Sequence, residues 1–211
     1  MLISTPTNIA SAKANRPLQS VKLLAQREDY NTCHIYLPEE PQRLAAVALD
    51  GKFYSFFRSL REPIKTVGLL LKLAARGQQV VTTPTKHGHA LWIYEPDGSL
   101  AKSTTRESAR MLPPTFGPAD CWIISDRQPG YRICSLKVPD LPDDVVPGLA
   151  NGQKFYSLYR RERHAGNTLK LATRLVQRGD EVVLLVGKAG YVICVYEPGA
   201  TMVAFNGSKK R

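Results

Sequence analysis

"KFYSFFRSLREPIKTVGLLLKLAARG" occupies residues 52–77 and "KFYSLYRRERHAGNTLKLATRLVQRG" occupies residues 154–179. Each begins with a strand-like run of rings and small residues and passes into a segment of helical periodicity that ends on Arg-Gly. Extended without a gap to residues 52–96 and 154–198, the two stretches share 18 identities in 45 positions. That is the mark of an internal duplication. One gap carries the match upstream, laying Tyr30 and Cys33 over Tyr131 and Cys134.

The repeat sets the domain reading: a tail over 1–20, a first repeat domain over 21–98, a linker over 99–119, a second repeat domain over 120–199 and a basic tail over 200–211. Pro113-Pro114 and Gly117-Pro118 with interspersed Ser and Thr mark the linker.

Within each copy the periodicity predicts strand, strand, strand, helix, strand, strand. The expected fold is α+β, two tandem βββαββ domains with one helix on a mainly antiparallel sheet in each. Val21, Leu23 and Ala25 alternate before a turn, and Cys33, Ile35 and Leu37 alternate after it, which predicts an opening hairpin. A Pro-rich acidic loop then leads into the strand at 52. Val67, Leu70, Leu73 and Ala74 form an apolar helical stripe, matched by Leu169, Ala172, Leu175 and Val176. Gly77 and Gly179 are expected to end the helices in the left-handed conformation.

Composition bounds the function. The chain has 211 residues, 43% hydrophobic, and a net charge of +11. No apolar run approaches the roughly 18 residues of a membrane-spanning helix, and the opening residues hold no continuous hydrophobic stretch of the kind a secretory signal needs, so secretion is not expected. Residues 1–20 lack acids and read as a tail, with a short organellar transit peptide as the alternative. Cys33, Cys121, Cys134 and Cys194 form no C-x-x-C and read as small buried hydrophobes of a reducing compartment, so a cytoplasmic location is expected. Asn206-Gly207-Ser208 matches a glycosylation acceptor that a chain without a secretion signal would not expose to the modifying enzyme.

Tails and linker carry +7 of the charge, so any anion-binding surface on the folded copies must arise from segregation, with acids such as Glu39, Glu40, Asp140, Asp143 and Asp144 gathered elsewhere. Strict alternation puts Lys52, Tyr54, Phe56 and Arg58 on one face of their strand and Phe53, Ser55 and Phe57 on the other; Lys154, Tyr156 and Arg160 repeat the mixed face. Two readings follow. Tyr54 and Tyr156 stack on unpaired bases while the cations neutralise phosphates, or the rings complete a core under the helix and the cations stay solvated. Lys170, Arg174 and Arg178 line one helix face, loosely echoed by Lys65, Lys72 and Arg76, and Lys86 and Lys188 stand at hairpin tips.

Catalytic patterns are missing from the sequence. His87 and His89 have no counterparts at Ala189 and Tyr191, too few ligands for a stable metal site. The shared Tyr-Glu-Pro at 94–96 and 196–198 reads as a strand end whose Glu pairs with Arg58 or Arg160. The expectation is a non-enzymatic protein without metal or cofactor that binds RNA or single strands in preference to duplex. The alternative is an interaction or assembly factor whose duplicated domain clasps one acidic protein partner. The repeats also suggest a monomer with pseudo-twofold character.

Overall fold

The computed structural model describes residues 17–101, 115–141 and 145–203. The first copy runs β1 (Val21–Leu23), β2 (Asn31–Leu37), β3 (Glu40–Leu49), β4 (Lys52–Leu60), α1 (Pro63–Ala75), β5 (Val80–Thr85), β6 (Gly88–Tyr94) and β7 (Ser99–Leu100). The second runs β8 (Cys121–Ser125), β9 (Tyr131–Lys137), β10 (Val145–Asn151), β11 (Lys154–Glu162), α2 (Ala165–Gln177), β12 (Val182–Gly187), β13 (Gly190–Tyr196) and β14 (Thr201–Val203).

These strands form one 14-stranded sheet in the order β14-β9-β10-β11-β13-β12-β8-β1-β5-β6-β4-β3-β2-β7. The order is palindromic under exchange of the copies. Two separate βββαββ domains are therefore not what the chain builds: the copies join through an antiparallel contact of β1 with β8, where Val21 faces Cys121. A single core spans that seam. Val67, Leu70 and Leu73 of α1 and Leu169, Leu175 and Val176 of α2 bury themselves with Val21, Leu23, Cys121, Ile123, Val182 and Ile193. Both helices thus lie on the same side of the sheet.

The expected opening hairpin is also corrected. β1 lies parallel to β5, with Val21 opposite Val80, and β8 lies parallel to β12, while β2 pairs with β3. The near-continuous apolar runs "VKLL" and "CWII" suit strands buried on both faces. The segment read as a Pro-rich loop contains β3, whose Pro41 stands exposed near its start. In the second copy Pro147 falls just before β10 begins pairing with β11 at Gly148, a tolerated edge position.

Both helices end as the sequence requires. Gly77 and Gly179 have φ of 75° and 96°. The amide of Gln78 donates to the Leu73 carbonyl and that of Asp180 to the Leu175 carbonyl, closing the last turn in each copy. The hairpin glycines serve closeness as well as turning. At Gly190, φ is 132° and a Cβ would stand 2.5 Å from the Glu162 carbonyl oxygen; Gly88 packs on the Leu60 carbonyl in the same way. Gly190→Ala is expected to destabilise the fold by about 1–3 kcal/mol, measured as a lowered midpoint in urea. An unchanged midpoint would refute this account of the hairpin.

Among the described residues no helix is long and apolar enough to cross a membrane.

Candidate nucleic-acid interface

The duplicated strand does not keep strict alternation. Register slips between Phe56 and Arg58 on β4 and between Leu158 and Arg160 on β11. Each slip is a bulge in which two residues oppose one. Phe57 and Arg58 share Leu91 as their opposite number, and Tyr159 and Arg160 share Ile193. Leu91 and Ile193 belong to the core under the helices. Arg58 and Arg160 therefore stand on the helix side, away from Lys52, Tyr54, Lys154 and Tyr156, with which alternation had grouped them.

The rings at the bulges are exposed, Phe57 at 45% and Tyr159 at 50%. The Arg58 guanidinium lies 6.0 Å from the Phe57 ring centre. Arg178, at the end of α2, donates to Asp180 at 2.9 Å, and this bond raises its pKa further; the Tyr159 hydroxyl is also within its electrostatic reach. In the first copy the matching positions hold Phe57, Arg58 and Arg76.

Charge is concentrated along the same path. From bulge to helix end, residues 58–76 carry five Arg or Lys and one acid, and residues 160–178 carry six and one, a net +9 together. The remaining parts of the copies are net negative, because 21–98 and 119–199 are each only +2. All eleven cations are exposed. Lys65 pairs with Glu62 and Arg160 with Glu162, whereas Lys72, Arg76, Lys170 and Arg174 have no ion-pair partner among the described residues. Like charges spaced along a helix repel, and an anionic partner relieves that cost.

The helix-free face is built differently. Tyr54 and Tyr156 are only 4% and 1% exposed, so their rings are closed to base stacking. Tyr156 packs with Ile124, Leu149, Val183 and Cys194, and Tyr54 with Leu24, Val47, Leu49 and Val81. These are small cores on the face opposite the helices, not beneath them. The Tyr156 hydroxyl donates to Glu181 Oε1 at 2.7 Å; Trp122 Nε1 donates to the same oxygen at 3.1 Å, and Lys154 Nζ donates to both carboxylate oxygens at 2.9 and 2.8 Å. In the first copy Gln79 replaces the carboxylate and accepts from Lys52 at 3.1 Å. Lys52 and Lys154 also cover the Tyr94 and Tyr196 rings. Desolvation pushes the Tyr54 phenol up to about 12, and burial first, then the Glu181 bond, raises that of Tyr156.

Several smaller expectations are placed as well. Glu95 and Glu197 do not meet Arg58 or Arg160; each accepts a 2.5 Å bond from the serine of its neighbouring strand, Ser55 or Ser157. Lys86 and Lys188 stand exposed at the β5–β6 and β12–β13 tips. His89 is half-buried, and desolvation lowers its pKa. No group of three or more metal-binding side chains occurs among the described residues. Cys121, Cys134 and Cys194 are buried, Cys33 is half-buried, and all four are free. The tail residues 1–16 and 204–211, and Asp143 and Asp144, lie outside the described residues.

The structure thus separates the candidate residues into three groups: Lys52, Tyr54, Lys154 and Tyr156 on the helix-free face; Arg58, Arg160 and the helix cations Lys72, Arg76, Lys170, Arg174 and Arg178 on the other; Lys86 and Lys188 at the hairpin tips. Phe57 and Tyr159 were missed, because a period of two assigns them to the apolar face. Their signal was an aromatic beside an arginine at the same repeat position in both copies. Comparison with protein-family models, with curated proteins and with solved structures yields no match.

Proposed function

We propose that this protein binds single-stranded nucleic acid, RNA or DNA, without catalysing a reaction on it, across the helix-bearing side of its sheet. The observation that carries the reading is the net +9 of the two bulge-to-helix segments, each with an exposed ring beside an arginine. Phe57 and Tyr159 stack on bases, which is sequence-tolerant because every base has a π-face. Arg58, Arg160, Lys72, Arg76, Lys170, Arg174 and Arg178 neutralise phosphates. Tyr54 and Tyr156 support the sheet from the other face.

Phe57→Ala and Tyr159→Ala are each expected to weaken binding of a fluorescent oligouridylate at the site of their own repeat by about 1–3 kcal/mol. Both side chains are exposed, so the thermal midpoint should stay in place. Full affinity in the double variant would overturn the stacking role. The alternative, a duplicated domain clasping an acidic protein, draws on the same exposed cations, which both copies carry from bulge to helix end.

A further inference from the structure

Resting on that reading, we infer that the ligand is a pair of antiparallel unpaired strands, as in an opened duplex, one strand held by each repeat. The strand order is palindromic about the β1–β8 seam, those two strands are antiparallel, and both helices cover the same face. An operation that exchanges the copies while keeping the face is a twofold axis perpendicular to the sheet. Such an axis reverses the direction of any chain lying on the surface. A nucleic-acid strand has a 5′-to-3′ direction, so the site around Phe57 and the site around Tyr159 accept strands running opposite ways.

Separation reinforces the point. β4 and β11 lie seven steps apart in the sheet, roughly 34 Å at about 4.8 Å per step if the sheet were flat. One linear strand crossing from site to site would have to traverse that width and also turn back on itself to present the second site with the correct polarity. Two antiparallel strands meet both sites without a turn. Tethering them through paired flanks makes the second contact intramolecular, the source of a large gain in affinity without any new contact.

The test compares three probes on the full chain at one salt concentration: linear oligothymidylate of about eight nucleotides, a length one site can cover; a duplex opened in its middle into two such antiparallel thymidylate segments; and a fully paired duplex of equal length. The opened duplex is expected to bind about a hundredfold tighter than the linear strand, one per chain, while the linear strand binds two per chain. Phe57→Ala with Arg58→Ala should abolish the gain and leave one linear strand bound. An opened duplex no tighter than the linear strand, or matched by the paired duplex, overturns the inference and leaves single-strand binding standing. Failure of the linear strand to bind even at low salt removes the function proposed above, and the inference with it.

Discussion

Tyr156→Ala is expected to lower the free energy of unfolding by about 3–5 kcal/mol, the usual cost of truncating a buried aromatic side chain, read from urea titration. The ring is 1% exposed and fills the small core on the helix-free face. Its loss also takes one of three donors from Glu181, leaving Trp122 and Lys154. Tyr156→Phe keeps the ring and removes only the hydroxyl, so it should cost about 1.5–3 kcal/mol, the range for a hydrogen bond to a charged group. Because burial and the Glu181 bond raise the phenol's pKa, the stability it contributes is complete below about pH 10, the unfolded value, and is lost as pH climbs above that toward the raised folded value. Nucleic-acid affinity should fall only in step with the unfolded fraction. A Tyr156→Ala protein that melts normally yet no longer binds would reverse the assignment and make this ring part of the ligand site.

Raising salt from 50 to 200 mM is expected to weaken single-strand binding by about three-hundredfold if about six phosphates are held, at about 0.7 of a counterion per phosphate. The force behind this is entropic: each neutralised phosphate releases a condensed counterion, and release is worth less as bulk salt rises. Eleven exposed cations from bulge to helix end supply more than enough contacts. Replacing Lys170 and Arg174 together by alanine should reduce the slope of log affinity against log salt by roughly 1.4, taking about 0.7 for each single-strand phosphate contact. Replacing Lys52 and Lys154 should leave the slope nearly unchanged, since these side chains are engaged by Gln79 and Glu181 on the other face. A flat salt response would remove the phosphate-neutralising role of these cations and direct attention to a partner held through apolar contacts.

Much of this architecture is legible locally. The duplication needs only the comparison of one stretch with another. The helices are readable because the apolar stripe through Val67, Leu70, Leu73 and Ala74 requires one buried face whatever covers it, and because Gly77 and Gly179 can adopt a conformation that other residues enter at a cost. Segregation of charge was legible in outline, since the folded copies are nearly neutral while their bulge-to-helix segments are strongly basic.

Tertiary structure decided the rest, through pairings between residues far apart in the chain. β1 reads as one arm of a hairpin until β5 takes one of its edges and β8 the other, fusing the copies into one sheet. "KFYSFFR" reads as strict alternation until β6 imposes a slipped register, sends Arg58 to the helix side and turns Phe57 out into solvent. Tyr54 and Tyr156 look alike as platform or core in sequence, because a ring's chemistry is the same in both settings. Only the neighbours brought in by distant strands close off water, and that closure assigned the tyrosines to packing and the bulge rings to the surface.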